Sequence, residues 1–291
     1  MRQFLGKLEV KSVREGEGLI PMQLAVPGVT GEDLKALQAW YWSHELSMDS
    51  QAAIFRIEVR SYLLKVDGLN VLIDTCCGND KERSVPWAHR LRTEWLQNLT
   101  GAGCGPDDIN LVLCTHLHAD HVGWNTRLED GRWVPTFPNA RYVFSRKDFE
   151  FFGRQTREAH NREAYVDSVL PVVEAGLADI VDSNVCVHRE IEDGIWLEDA
   201  AGHSPGSVVV NARRGGSRAV FMGDIVHHPI QLVRPDIPFF ADENHVEACA
   251  TRQRLLEQCV DNESVLFPAH FPDPAAGCVR RAKRFFSYGF L

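Results

Sequence analysis

Apolar and polar residues roughly alternate from Ile54 to Val66, through Ile57, Val59, Tyr62 and Leu64, then break at Asp67-Gly68 and resume as Leu69-Asn70-Val71-Leu72-Ile73. A period of two either side of an Asp-Gly turn predicts a β-hairpin. The short apolar run Ile109-Asn110-Leu111-Val112-Leu113 reads as a buried strand. Further strand patterns cover Arg141 to Phe144 and residues 195–199, 207–212, 218–222 and 264–267, with helical spacing over 89–99, 146–152, 160–175 and 245–259. Ahead of the hairpin, Thr30 can cap a helix whose first turn is acidic (Glu32, Asp33) and whose Leu34, Leu37 and Tyr41 share a face. Residues 1–52 are therefore expected to be an N-terminal extension carrying an amphipathic helix, and residues 53–291 a single domain. Two β-rich halves separated by helices predict an α/β fold with two sheets face to face and helices outside, a four-layer αββα sandwich.

The aromatic end of that first helix, Trp40-Tyr41-Trp42, needs a partner surface. The core is the commoner destination for such rings; a pocket mouth or a homodimer contact is the alternative.

Composition narrows the classes of function. With 31 Lys and Arg against 40 Asp and Glu the formal net charge is -9, so general affinity for nucleic acid or an anionic membrane is not expected. Eight cysteines are scattered with no Cys-x-x-Cys pair, which argues against a zinc knuckle or a thioredoxin-type motif. The first nine residues hold no apolar signal segment, and no run of 18 apolar residues occurs, so a cytoplasmic protein is expected.

The chemistry concentrates directly after the strand at 109–113, in Cys114-Thr115-His116-Leu117-His118-Ala119-Asp120-His121-Val122-Gly123. His116 and His118, two apart on extended backbone, point the same way, whereas Asp120 and His121 turn elsewhere once a helix begins. That divides four side chains between two adjacent metals instead of crowding them round one. Imidazoles and carboxylates at such spacing are ligand signatures. Three later residues each follow a strand-like run: His203 in Gly202-His203-Ser204-Pro205-Gly206, Asp224 after Met222-Gly223, and His270 after Pro268-Ala269. Together they supply five His and two Asp, enough for two ions with a shared carboxylate. Asp74, at the end of the hairpin, could brace a ligand loop from behind.

In this order His116-x-His118-x-Asp120-His121, Gly202-His203-Ser204-Pro205-Gly206, Gly223-Asp224 and Ala269-His270 resemble the metallo-β-lactamase superfamily, and Asp74-Thr75 is similar to its Asp-Thr-Gly strand end. Phe137-Pro138-Asn139-Ala140 and Ala269-His270-Phe271-Pro272 look like the methyl parathion hydrolase and quorum-quenching lactonase branch. The resemblance implies that His116, His118 and His203 bind one ion, that Asp120, His121 and His270 bind the other, and that Asp224 bridges. Cys76 and Cys77 stand where the family usually has glycine.

Two divalent ions, zinc before iron, cobalt or manganese, lower the pKa of bound water from 15.7 to about 7, so no Ser or Cys nucleophile is required. The resulting hydroxide attacks a small-molecule ester, and Asp120 relays a proton. A lactone is expected ahead of a phosphotriester, with Trp124, Trp133, Phe137 and Phe149 surrounding the site. The rival readings are a β-lactamase, a phosphodiesterase or nuclease of the same fold, and an iron-dependent redox member. A nuclease would want a basic groove, which the acidic balance disfavours. A redox member would add a flavin or thiol-substrate module, which the sequence does not show. His227 and His228 are expected to be dispensable as ligands, with His227 touching substrate.

Overall fold

The computed structural model describes residues 1–41, 49, 51–155, 161–188, 194–282 and 286–291. The strands are β1 (Arg2–Leu5), β2 (Leu8–Pro21), β3 (Ile54–Val66), β4 (Leu69–Ile73) and β5 (Leu111–Leu113), the small hairpin β6 (Thr126–Glu129) and β7 (Arg132–Pro135), then β8 (Arg141–Ser145) and β9 (Ala178–Val181). They continue as β10 (Cys186–His188), β11 (Ile195–Asp199), β12 (Val208–Arg214), β13 (Ser217–Gly223), β14 (Val265–Pro268), β15 (Gly277–Arg281) and β16 (Phe286–Phe290). One seven-stranded sheet runs β1-β2-β3-β4-β5-β8-β9, and a second runs β10 to β16 in sequence order.

Alternation along each strand sorts side chains between layers. Val71 and Ile73 of β4, Val208, Val210 and Ala212 of β12, Ala219 and Phe221 of β13 and Phe267 of β14 meet between the sheets. Their neighbours face outward: Leu72 joins Trp95, Leu99, Phe152 and Val169 on one side, while Val209, Val220, Met222 and Leu266 join Leu255 and Leu256 of the helix His245–Asp261 on the other. Both outer faces carry helices, so the layers are αββα. No helix among the described residues is long and apolar enough to cross a membrane.

The stretch 1–52 supplies the expected helix, Gly31–Gln38, with Thr30 and Asp33 forming a capping box. It also supplies two strands, for β2 pairs antiparallel with β3 from Glu9 opposite Lys65 to Pro21 opposite Ile54. The hydrophobic pattern hides β2 because its apolar residues are few among Glu9, Lys11, Arg14 and Glu17, and because the register slips between Arg14 and Gly16. Such a bulge re-aims a side chain. Here it leaves Glu15 accepting bonds from the Cys77 amide (2.7 Å), the Gly78 amide (3.2 Å), Thr93 Oγ1 (3.2 Å) and Trp124 Nε1 (2.6 Å), a brace beneath the turn that follows β4.

One sequence expectation is corrected and one alternative is set aside. Helical spacing from His89 gives a helix only over Trp95–Gly101, because Arg90 adopts a left-handed φ of 48° that no helix accommodates. Tyr41 packs into the core against His228 and Phe290, and Trp40 leans on the same core, so neither forms a lid; Trp42 lies outside the described residues.

Candidate metal centre

All the ligand-type residues named above emerge at one edge of the sandwich. The parallel strands β4, β5, β13 and β14 end there, delivering Asp74, the 114–121 turn, Asp224 and His270, and the 200–207 loop between β11 and β12 adds His203. Backbone contact fixes the 114–121 turn. Gly123 lies so close to the 76–78 segment that a Cβ there would stand 1.8 Å from the Cys77 carbonyl oxygen. On the opposite side Gly223, at φ 50°, leaves room for Thr115, whose Oγ1 would meet a Cβ at 2.7 Å. Only glycine serves at either place.

Asp224 occupies the centre. Its Oδ1 lies 3.0 Å from His121 Nε2 and 2.9 Å from His270 Nε2. Its Oδ2 lies 3.2 Å from His203 Nε2 and 3.7 Å from His116 Nε2, and His118 Nδ1 is 2.9 Å from His203 Nε2. Asp120 Oδ2 approaches His121 and His270 at 3.7 and 3.6 Å. The side chains thus form two groups, His116, His118, His203 and Asp224 in one, Asp120, His121 and His270 in the other.

Hydrogen bonds behind the imidazoles fix their tautomers. A carboxylate or carbonyl can only accept, so His121 Nδ1 donates to Asp74 Oδ2 (2.9 Å), His203 Nδ1 to Asp242 Oδ1 (2.9 Å) and His270 Nδ1 to the Glu58 carbonyl (2.7 Å). Thr115 Oγ1 spends its proton on Asp74 Oδ2 (2.9 Å), which leaves it to accept from His116 Nδ1 (3.1 Å). Each ring therefore directs Nε2 towards Asp224, and in the neutral ring that atom carries the lone pair a metal takes. Lone pairs converging on a carboxylate repel unless a cation lies among them. Buried polar atoms almost always have partners, yet His116 Nε2, His121 Nε2 and Asp224 Oδ1 have no hydrogen bond. The donor set fits divalent cations.

Electrostatics agree. Burial works against charging His203, but the carboxylates of Asp224 and Asp242 pull it up to about 9. Burial likewise opposes ionisation of Asp224, and the surrounding imidazoles, His121 first, hold it well below the usual carboxylate range. His116 is pushed well down, by burial and then by His121. A ligating imidazole is neutral, so metal entering beside His203 would displace its proton.

Asp74 braces the turn as the strand pattern suggested, also accepting the Thr115 amide at 2.7 Å. Asp242 and Asp148 escaped sequence reasoning. Asp148, in the helix Arg146–Arg154, accepts from Ser204 Oγ (2.8 Å), the Gly206 amide (2.6 Å) and the Leu117 amide (3.2 Å), so one carboxylate holds two ligand loops together. No motif marks either residue.

His228 faces away from the centre, packed on Phe55 and accepting the Ile230 amide. His227 belongs to neither group, yet it lines the cavity over the centre, stacks on Phe239 at 3.7 Å and sets Nε2 3.2 Å from Asp224 Oδ2. Burial pushes it down to about 4.

That cavity, of about 510 Å³, is walled by Ile20, Ile57, Val85, Trp87, Phe239 and Phe240. The expected wall of Trp124, Trp133, Phe137 and Phe149 is corrected. Trp124 stacks on Trp95 and Phe137 meets Tyr142 in the core, Trp133 lies against Lys81, and Phe149 packs on Tyr165. Trp124 and Phe137 are buried in the core beside the first sheet, whereas Trp133 and Phe149 are half-buried there, outside the cavity.

Comparison with known proteins agrees with the geometry. N-acyl homoserine lactonase of Bacillus cereus is 24% identical over 182 residues, 62% of this chain and 63% of that protein, so the match spans less than two thirds of the curated relative's length. Among solved structures, AidC, a dizinc quorum-quenching lactonase, superposes with a TM-score of 0.80 at 20% identity, covering 99% of this chain and 96% of that one. The hydrolase AbOPH, of the beta lactamase superfamily, gives 0.78 at 21%, covering 99% and 95%. At these identities the superpositions speak for the fold. The family profile described as Metallo-beta-lactamase superfamily matches residues 56–270, which carry every ligand-type residue named above, and the chain belongs to that superfamily.

Proposed function

We propose that this protein is a metal-dependent hydrolase holding two divalent ions, zinc by first choice, and opening a small uncharged ester, a lactone before a phosphotriester. His116, His118 and His203 hold one ion, Asp120, His121 and His270 the other, and Asp224 lies between them. One observation carries the reading: Asp224 Oδ1 faces the Nε2 atoms of His121 and His270 while Oδ2 faces those of His203 and His116, and His116 Nε2, His121 Nε2 and Asp224 Oδ1 have no hydrogen-bond partner. When bound, such ions supply water of lowered pKa and polarise the attacked oxygen.

The chain's own groups do the rest. Asp120, the least buried of the seven, lines the cavity and can take a proton from the attacking water and pass it to the leaving oxygen. The apolar wall at Ile20, Ile57, Trp87 and Phe240 receives a substrate's hydrocarbon part and excludes water from the reacting carbonyl. Among the described residues the cavity lining contains no Lys or Arg, whereas Asp242 and Glu243 face it, which favours a substrate without an anionic tail. The curated relatives named as N-acyl homoserine lactonases support placing lactones first.

The test is kcat/KM on zinc-reconstituted protein for an acyl-homoserine lactone, a simple δ-lactone, an aryl ester, paraoxon, an aryl phosphodiester and a β-lactam. Lactones should lead. A β-lactam or phosphodiester exceeding every lactone and ester by about tenfold, about 1.4 kcal/mol of transition-state binding, would contradict the reading.

A further inference from the structure

Asp242 gives its two oxygens to two different parts of the protein. Oδ1 accepts Nδ1–H of His203 at 2.9 Å, and Oδ2 accepts the backbone N–H of Phe239 at 2.8 Å. Phe239 is cavity wall, with Phe240 half exposed beside it. The same short segment is tied to the His203 loop by its backbone, since the Glu243 amide donates to the His203 carbonyl (3.1 Å) and the Asn244 amide to the Gly202 carbonyl (2.9 Å). Behind it Arg252, fully buried on the helix His245–Asp261, sits 3.7 Å from Asp242 Oδ2 and donates to the carbonyls of Ile225, Pro235 and Ile237. The guanidinium backs the carboxylate from the helix side, and the two hydrogen bonds mean that it cannot turn without releasing either the imidazole or the wall.

We propose that Asp242 is a positioning residue that couples metal occupancy at His203 to the placement of the Phe239 wall, so that loading the ion orders the apolar side of the substrate cavity. The inference rests on the two-metal reading above. A ring nitrogen that binds an ion strengthens the hydrogen bond made by the other nitrogen, and orienting partners of this kind change metal affinity by 10–100-fold when removed. Because Asp242 Oδ2 is fixed by the same event, the Phe239 amide is held more firmly when the ion is present. Coupling of this kind is reciprocal, so a ligand packed on the wall tightens the ion by the same factor.

Zinc alone is the probe. Calorimetric titration of chelator-stripped wild-type protein should give two ions. Asp242→Asn still offers an acceptor to the Phe239 amide but turns an NH2 towards His203. It should bind one zinc about 10–100-fold more weakly and the other unchanged. Phe239→Ala should keep both zinc affinities and raise KM for an ester with a long apolar tail more than for a short one. Amide exchange of the 235–243 segment in the wild-type protein needs no variant: zinc should slow exchange at Phe239 severalfold. Asp242→Asn binding both ions as the wild type does, or exchange at Phe239 indifferent to zinc, overturns the inference. Wild-type protein that takes up no zinc overturns the two-metal reading itself, and this inference with it.

Discussion

Asp74 Oδ2 lies 2.9 Å from His121 Nδ1, and the same carboxylate receives Thr115 through both its amide, at 2.7 Å, and its hydroxyl, at 2.9 Å. One side chain at the end of β4 thereby sets the ring of His121 directly and that of His116 through Thr115. Asp74→Asn keeps the volume but leaves one acceptor oxygen for three donors. It should weaken the zinc held by His121 by 10–100-fold and cost about 1–3 kcal/mol in stability. Competition with a zinc chelator and thermal unfolding measure the two effects. An unchanged zinc affinity would show that the ring is oriented by something else.

Gly123 and Gly131 make a matched pair of substitutions. Gly123→Ala places a methyl 1.8 Å from the Cys77 carbonyl oxygen, with backbone on both sides of the contact, so the chain must separate and the 119–122 turn moves with it. A loss of more than about 4 kcal/mol is expected, together with loss of zinc. Gly131→Ala, at φ 76° in open space, meets only the left-handed backbone cost of about 1–2 kcal/mol and should keep its zinc. Urea unfolding of both variants decides; equal losses would contradict the close approach.

Lys81 is fully buried, with Nζ bonded to Thr126 Oγ1 and 3.5 Å from the centroid of the Trp133 ring. Burial pushes its ammonium down to about 7 from an ordinary 10.5. Between those values the unfolded chain holds the proton and the folded one does not, so stability rises with pH through the window and the full cost of the buried charge is felt below about 7. Lys81→Met removes this dependence. The variant should be the more stable at pH 6, and the wild type should gain on it by roughly 2–5 kcal/mol between pH 7 and 10. Parallel melting-temperature profiles would contradict the assignment.

The ligand-type residues were legible because each sits in a turn right after a strand, and four of them fall within six positions. Their supports were not. Asp242 lies 39 residues from His203, and Glu15 lies 109 from Trp124, and neither spacing has a local signature. The sandwich could be read from β3 and β4, whose apolar residues roughly alternate about the Asp67-Gly68 turn, and from the short apolar runs of β12 and β13, whereas β2 was masked by its charges and its bulge. The cavity wall was misread for a related reason. Aromatic rings near the motif in sequence turn into the core, and the wall comes from Ile20, Trp87 and Phe239, which only the folded chain brings together.

The central claim is that Asp224 stands between two ions, one facing each set of imidazoles. Elemental analysis of protein purified without chelator, joined to anomalous diffraction at the metal edge, tests it most directly. Two ions per chain are expected, one against His116, His118 and His203, the other against Asp120, His121 and His270, with an oxygen of Asp224 towards each. A single ion at saturating metal, or two ions with Asp224 turned away from both, would contradict the account.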